Sequence, residues 1–403
     1  MSTQLDGSIH MDLVEQSPLA EQSQRRCRDV SSARRLVVKL GTRVLTDDHG
    51  RLARPHLRAV VDSVARLHRM GREVLIVSSG AVGLGAEGLC KGSAPSGVAL
   101  RRACAAVGQS RLMVLFAEEL ARHDLLCGQI LLTQGDFDDR TRYLDLRRTL
   151  DTLLDGGVVP ILNENDAVTR ETLASFEGCG PVFDDNDRLA ALVASELDAD
   201  LLVLLTDIDG VYDRHPREPD ARRLGCIEDP RVVAGISPEP GSSAGRGGMA
   251  SKVSAAAIAA RGGCHAVIAS GRHSGTVDRI LAGDDEGTWF PAQRTLPARR
   301  RWIAFAAAPR GVLHLDAGAV EALRRMRASL LPVGVRRVEG VFQRGDVVEL
   351  RDPEGELVGR GLALYDAHTV EDWCRGQAPT DLRGPNALIR RNHVVLEHPV
   401  SAL

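Results

Sequence analysis

The stretch LVVKLGTRVL, residues 36–45, joins a short apolar run to a lysine and a glycine. An apolar, β-branched run of this length predicts a buried strand. Lys39 is one of only three lysines in 403 residues, against 48 arginines. Ammonium is a compact point charge that reaches one or two oxygens in a tight pocket, whereas guanidinium is a planar fork. We therefore expect Lys39 to serve a site at the end of this strand.

Five further apolar runs are typical of buried strands, and helical patterns separate them along the chain. Near-continuously apolar strands that alternate with helices predict a mostly parallel sheet covered on both faces, which is a three-layer α/β sandwich. The five runs are residues 73–79, 128–133, 158–163, 201–206 and 265–270.

The pattern changes around residues 291–299, and short β-like pieces with Gly and Asp-Pro turns follow. This change predicts a separate, small β-rich domain. The β-like pieces are residues 301–306, 311–316, 345–352 and 357–365. The predicted units are a disordered polar tail (1–34), a catalytic α/β domain (35–292), a β-rich domain (298–380) and a C-terminal tail (381–403).

Composition indicates a protein without a general nucleic-acid or membrane partner, because the formal net charge is −3. No apolar run reaches the length of a membrane-spanning helix, and the N-terminal segment is polar. Eight cysteines occur without a C-x-x-C pair, and the nearest two are Cys90 and Cys104. We expect free thiols in a reducing cytoplasm.

Polar and glycine residues follow four of the predicted strands, at residues 39–42, 78–81, 163–166 and 206–207. Isolated residues of this kind are explained by turn chemistry. Ligands of open α/β sheets, however, bind beyond the carboxyl ends of the strands. Four such strand ends favour one shared binding crevice.

Lys252 closes the glycine-rich stretch SSAGRGGMASK, residues 242–252, at the predicted start of a helix. Backbone amides of such a turn, together with a helix N-terminus, form an anion cradle. A Walker A loop is excluded because Ser251 precedes the lysine and Val253 follows it. The stretch indicates phosphate binding on a different framework.

A cluster of acids begins the helix predicted within FDDNDRLAALVASEL, residues 183–197. Asp184 is explained by N-capping, but Asp185, Asn186 and Asp187 exceed what a cap requires. They suit three roles that the residues alone leave open: orienting lysines, holding a metal or gripping an amino acid.

A glycine pattern at residues 83–88, GLGAEG, matches the dinucleotide fingerprint G-x-G-x-x-G. That fingerprint also requires an acidic residue about 20 positions further on. None lies between Glu87 and Glu118. We therefore reject a nicotinamide site.

Seven motifs together resemble the amino-acid kinase family and, within it, the glutamate 5-kinases. They are VVKLGT, VSSGAVGLG, AAVGQSRL, NENDAV, DDNDRLAA, LLTDIDGVY and GGMASK, in the family's order. The C-terminal region resembles a PUA domain, a small β-barrel.

The resemblance implies ATP-dependent phosphorylation of the γ-carboxylate of L-glutamate, the first step of proline synthesis, with Mg²⁺ bridging the ATP phosphates. One alternative is a kinase of another small carboxylate or amino acid. A different class of alternative is RNA binding by the PUA-like domain. From residue 296 onward the sequence has 16 arginines and 13 acidic residues. Since that excess is small, we favour a structural or regulatory appendage.

The family pattern also implies roles for individual residues. Lys39 would contact the ATP phosphates near the transferring group, Lys252 would approach them from the opposite segment of the domain, and Asp187 would hold both lysines in place. The glutamate pocket would contain Ser79, Gly80, Ala81, Asn163, Asp166 and Asn186. The nucleotide would be bound by Lys39, Gly41, Thr206, Asp207, Arg246, Gly247, Gly248, Met249, Ala250, Ser251 and Lys252.

The chain departs from the family pattern at two places. Arg246 stands where the family usually has threonine, and the segment 169–185 is longer than expected.

The resemblance further implies a homodimer or homotetramer, and a transient partner in glutamyl-phosphate reductase, which would consume the labile product.

Overall fold

The α/β part of the molecule is built on a seven-stranded sheet. The computed structural model describes residues 18–46, 52–90, 95–168, 186–230, 248–293, 296–326, 328–377 and 387–397. The strands are β1 (Arg35–Leu40), β2 (Glu73–Ser78), β3 (Cys127–Leu132), β4 (Val159–Glu164), β5 (Leu201–Thr206), β6 (His265–Ser270) and β7 (Thr288–Phe290). Their order is β3-β4-β2-β1-β5-β6-β7. All neighbours are parallel except β6 and β7. The six predicted strands are confirmed.

Ten helices accompany this sheet in the described residues. They are α1 (Pro18–Ser31), α2 (Thr42–Leu45), α3 (Arg54–Arg69), α4 (Ala81–Leu89), α5 (Val98–Ala121), α6 (Gln134–Asp138), α7 (Arg140–Asp155), α8 (Asn186–Glu196), α9 (Met249–Arg261) and α10 (Thr276–Ala282). Helices α7, α8 and α9 share one apolar core with the sheet, and α3, α5 and α10 share the other. The predicted three-layer sandwich is therefore confirmed. None of these described helices has the length and apolarity needed to cross a membrane.

Strand β1 lies at the centre of the sheet, between β2 and β5. Successive side chains of a strand point to opposite faces. Val37 packs in the core beneath α8 and α9, whereas Val38 packs in the opposite core. Lys39 therefore shares the face of Val37 and extends toward the N-termini of α8 and α9.

The C-terminal part has its own core and a five-stranded sheet. Its strands are β8 (Gly311–Leu315), β9 (Val335–Gly340), β10 (Val347–Arg351), β11 (Leu357–Leu362) and β12 (Val394–Leu396), in the order β12-β11-β10-β8-β9. Its helices are α11 (Ala298–Arg301), α12 (Ala317–Met326) and α13 (Ala367–Cys374). The segment 381–403, which was predicted to be a tail, therefore includes strand β12. The side chains of Val394 and Val395 in this strand are buried.

The prediction of a disordered N-terminal tail is wrong for residues 18–31, which form α1. Val30 is fully buried, and Arg26 is 5% exposed. The Arg26 guanidinium donates to the Asp285 carboxylate at 3.0 Å and to the main-chain oxygen of Glu286. These contacts join residues about 260 positions apart, so local composition did not reveal them.

The β-like prediction for residues 301–306 is also wrong, because Trp302–Ala306 form a π-helical turn that follows α11. Trp302 donates from Nε1 to the Phe137 carbonyl at 2.7 Å, and Arg188 donates to the Phe305 carbonyl at 3.0 Å. Arg360 of β11 donates to the Ala304 carbonyl at 3.0 Å. A short apolar run does not distinguish a strand from a buried helical turn.

Candidate functional site

The three residues at the centre of the site come from a strand end and two helix N-termini. Lys39 Nζ lies 2.5 Å from Oδ1 of Asp187, and Lys252 Nζ lies 3.0 Å from Oδ2 of the same carboxylate. Asp187 is fully buried, and the two lysines are 5% and 6% exposed. We call this arrangement the lysine–aspartate junction. One carboxylate holds two ammonium groups at the carboxyl edge of the sheet, so the junction keeps a net positive charge.

A network of amide side chains lies beside the junction. Asn186, the residue before Asp187, has Nδ2 2.9 Å from Oδ1 of Asn163 and 3.1 Å from Oγ of Ser79. Asn163 in turn donates from Nδ2 to Oε1 of Gln109 at 2.8 Å. The network therefore ties together β4, α5, α8 and the end of β2.

Two polar atoms of this network have no hydrogen-bond partner among the described residues. They are Nε2 of Gln109, a donor, and Oδ1 of Asn186, an acceptor. A buried polar group without a partner costs about 1–3 kcal/mol, so such groups are uncommon unless a ligand completes them. A donor fits a carboxylate oxygen and an acceptor fits an ammonium group. The open donor of Gln109 and the open acceptor of Asn186 together suit a zwitterionic amino acid.

The other side of the junction is formed by the ends of β1 and β5. Thr206 donates to Asp207 at 3.1 Å, and Arg43 donates to the other carboxylate oxygen at 2.8 Å. Burial alone would raise the pKa of Asp207, but the hydrogen bonds from Arg43, its own amide and Thr206 lower the pKa below its usual value. Asp207 is therefore an ionised acceptor near neutral pH. Gly41 donates from its backbone N–H to the Leu205 carbonyl at 3.2 Å.

Glycines bring α4 and α5 close together beside the amide network. Gly80 precedes α4 with φ of +96°, a conformation that favours glycine. A Cβ atom at Gly85 would lie 1.8 Å from the carbonyl oxygen of Cys104, and one at Gly108 would lie 1.7 Å from that of Ala81. The fingerprint-like glycines at 83–88 therefore lie within a helix, where Gly85 permits contact between helices.

Comparison with known proteins places the chain in a family. The model of the amino acid kinase family matches residues 34–270, and that of the PUA domain matches residues 311–380. The glutamate 5-kinase of Myxococcus xanthus is 46% identical over 84% of this chain and 88% of its own length. This chain belongs to the glutamate 5-kinase family. The glutamate 5-kinase of Chromohalobacter salexigens is also 46% identical, over 85% of this chain and 90% of its own length.

Among solved structures, the carbamate kinase from Giardia lamblia bound to AMP-PNP has a TM-score of 0.46 and 19% sequence identity with this chain. It covers 65% of this chain, and the match spans 99% of that protein.

The structure brings most of the predicted site residues of this glutamate 5-kinase family member to one edge of the sheet. Asp166 is half-buried in the turn after β4. Arg246 and Gly247 lie outside the described residues, as do Asp184, Asp185 and the long segment 169–185. The remaining predicted residues lie at strand ends or near helix N-termini at this edge: Lys39, Gly41, Ser79, Gly80, Ala81, Asn163, Asn186, Asp187, Thr206, Asp207, Gly248, Met249, Ala250, Ser251 and Lys252.

Two residues of the site were not among those predicted. Gln109 lies within the motif AAVGQSRL, but it sits in the middle of α5 rather than at a strand end, so the strand-end argument did not select it. Arg43 follows the motif VVKLGT and contacts Asp207, 164 positions away. The available sequence signal was membership of a family motif for Gln109 and proximity to one for Arg43, and both contacts are tertiary.

The acidic side chains of the site are poorly suited to bind a metal directly. Asp187 is engaged by two lysines and Asp207 by Arg43. Within the described part of the chain, no group of three or more His, Cys, Asp or Glu side chains is arranged to hold a metal ion. A divalent cation would therefore bind here mainly through phosphate oxygens and water.

Proposed function

We propose that this chain transfers the γ-phosphoryl group of ATP to the γ-carboxylate of L-glutamate, giving γ-glutamyl phosphate. The lysine–aspartate junction beside an incomplete amide network carries the proposal. It puts two positive charges next to groups that suit an amino acid. The membership in the glutamate 5-kinase family supports the choice of substrate.

Phosphoryl transfer to a carboxylate requires no general base, because an unperturbed glutamate side chain has a pKa of about 4.3 and the nucleophile is already ionised. Catalysis then depends on positioning and on neutralising the charge of the phosphoryl oxygens. One unit charge at 4 Å contributes about 4 kcal/mol at an effective dielectric constant near 20. Lys39 and Lys252 would supply this stabilisation, and Asp187 would hold the two ammonium groups in place.

Glutamate recognition is assigned to the amide network and its neighbours. Gln109 Nε2 would donate to a substrate carboxylate, and Asn186 Oδ1 would accept from the α-ammonium group. Asp166 would add a charge complementary to that ammonium. Ser79 and the N-terminus of α4 after Gly80 would line the same pocket.

The nucleotide would lie on the other side of the junction, over the ends of β1 and β5 and the start of α9. Thr206 and Asp207 would contact it, together with Gly41 and the residues from Gly248 to Lys252. Mg²⁺, held by ATP phosphates and water, would neutralise phosphate charge when bound.

Partners and compartment form a further part of the proposal. An acyl phosphate is labile, so a reductase that consumes γ-glutamyl phosphate would act next, in the cytoplasm, in the route to proline. Val107 and Val114 are 41% and 55% exposed on α5, and Leu131 on the edge strand β3 is 36% exposed. We further propose that two or more copies associate through the kinase domain, which light scattering would measure.

The deciding experiment uses purified protein with ATP, Mg²⁺ and hydroxylamine, which traps acyl phosphates as hydroxamates. L-glutamate is compared with L-aspartate and N-acetylglutamate, and ADP release is followed in each. Hydroxamate from glutamate alone would support the proposal. Turnover of a different acid would overturn the substrate but keep the kinase. The Asp187→Asn variant serves as the control with a disrupted junction.

A further inference from the structure

Two thiols that are 14 positions apart meet where α4 and α5 pack together. The Sγ atoms of Cys90 and Cys104 are 3.7 Å apart. Cys90 directly follows the last residue of α4 and is partly exposed, whereas Cys104 lies in α5 and is fully buried. The sequence spacing gave no sign of a pair, since the helix–helix contact creates it.

The helix packing that brings the thiols together is tight and leaves them little freedom to separate. Gly85 lies against the main chain of Cys104, where a Cβ atom would be 2.5 Å from the carbonyl carbon. The two sulfurs need to approach by roughly 1.7 Å to reach the bonding distance of a disulfide. Rotation of the partly exposed Cys90 side chain is the available movement.

We propose that Cys90 and Cys104 form a peroxide-sensitive dithiol pair, in which Cys90 reacts first and Cys104 resolves it to an intrachain disulfide. The proposal concerns side chains outside the lysine–aspartate junction. It is therefore independent of the kinase activity proposed above.

The chemistry is balanced with hydrogen peroxide as the oxidant. The Cys90 thiolate attacks one peroxide oxygen, the O–O bond breaks, and the departing oxygen leaves as water after protonation, which gives a sulfenic acid. The Cys104 sulfur then attacks the Cys90 sulfur, the S–O bond breaks, and a second water leaves. Two thiols lose two electrons in total, and one peroxide gains them.

The order of reaction follows from burial. Burial raises the pKa of the Cys104 thiol, and the contact with Cys90 adds to this shift. The thiolate is the nucleophile, and oxidation follows thiolate character and exposure. Cys104 is thus a poor first target, but it lies in contact with the sulfur that peroxide reaches.

The disulfide would join the C-terminal end of α4 to α5 and close the connection between them. Cross-linking of this kind restricts the unfolded chain. We expect the oxidised protein to melt at a higher temperature than the reduced protein, and a dithiol reductant to reverse the difference.

The test is peroxide treatment of the full-length protein followed by thiol titration, intact mass and tryptic mapping without reduction. Trypsin cleaves between the two cysteines, so the disulfide would link peptides 73–91 and 103–111. The expected result is that linked pair, a mass lower by about 2 Da as two hydrogens are lost, and two fewer titratable thiols than the eight of the reduced chain.

Matched variants separate the pair from general oxidation. Cys90→Ser and Cys104→Ser should each abolish the linked peptides and the rise in melting temperature, while Cys374→Ser should behave like the parent. Since Cys104 is buried and its variant has a lower chance of folding, Cys90→Ser is sufficient alone. Recovery of Cys90 as sulfinic or sulfonic acid with Cys104 still reduced would overturn the proposal, as would linkage between two chains.

Discussion

Asp187 and Lys39 form an ion pair of 2.5 Å in which the carboxylate is fully buried. Burying a charge is costly unless a partner compensates it. The carboxylate belongs to the first turn of α8, and the ammonium belongs to the central strand β1. Pairing therefore fixes the position of a helix relative to the sheet, and it also fixes the direction of the lysine.

Replacing either junction lysine by arginine should abolish most activity although the charge is kept. In Lys39→Arg and Lys252→Arg, a planar guanidinium must fit where a point charge lies within 3.0 Å of Asp187. We expect kcat to fall by a factor on the order of 10²–10³, which is typical of a lost preorganised donor. The rate of hydroxamate formation at saturating substrate measures this kcat. The reverse exchange Arg148→Lys, on the exposed surface of α7, is the control, and near-normal kcat in either variant would refute the point-charge argument.

Gln109→Leu should weaken glutamate binding and leave ATP binding unchanged. The substitution removes the open Nε2 donor and leaves Nδ2 of Asn163 without its acceptor. A lost hydrogen bond of about 1–1.5 kcal/mol corresponds to roughly a tenfold rise in the KM for glutamate. Steady-state kinetics with each substrate varied in turn would show this. Ser110→Ala, whose hydroxyl contacts its own helix, is the control; equal rises in both KM values would argue against the assignment.

Two glycines of α4 should respond to alanine in opposite directions. At Gly85 a Cβ atom would meet the main chain of Cys104, whereas at Gly83 it would meet no atom within 4 Å. Gly85→Ala would therefore overpack the contact between α4 and α5, and we expect it to lower the free energy of unfolding by about 1–3 kcal/mol. Gly83→Ala should instead stabilise the protein by about 0.5–1 kcal/mol, because alanine is the better helix former. Urea denaturation tests both, and similar effects in the two variants would contradict the packing of α4 on α5.

Glu196, the last residue of α8, makes the stability of the protein depend on pH. Burial raises its pKa from 4.5 to about 7, with Tyr143, Arg301, Asp198 and Arg147 as its polar neighbours. Because the pKa of Glu196 is higher in the folded state, its protonated carboxyl contributes to the free energy of unfolding. That contribution is fully present below pH 4.5 and is lost as the pH rises through about 7.

The matching variant is Glu196→Gln, which has the shape of the protonated acid at every pH. It should unfold with a free energy roughly 3 kcal/mol higher than the parent at pH 8, since each pKa unit corresponds to about 1.4 kcal/mol. The difference should shrink toward zero near pH 4.5. Urea denaturation at several pH values provides the comparison, with the exposed substitution Glu321→Gln as control. A constant difference across this range would be inconsistent with a raised pKa.

Several contacts could not be predicted because they join residues distant in the chain. Gln109 reaches Asn163 over 54 positions, and Arg26 reaches Asp285 over 259 positions. Local pattern carries no information about such pairs. For the same reason the sequence indicated disorder where α1 forms, and a strand where the π-helical turn packs between the two parts of the molecule.

The sequence by itself determined the six parallel strands, the helices between them, and the strand end and helix starts that carry the junction. Hydrophobic period and run length decide these elements, because burying apolar surface dominates folding. Only the tertiary structure decided which side chains meet. The contact between Cys90 and Cys104, for example, exists because α4 and α5 pack closely at Gly85 and Gly108, and the order of residues does not display that packing.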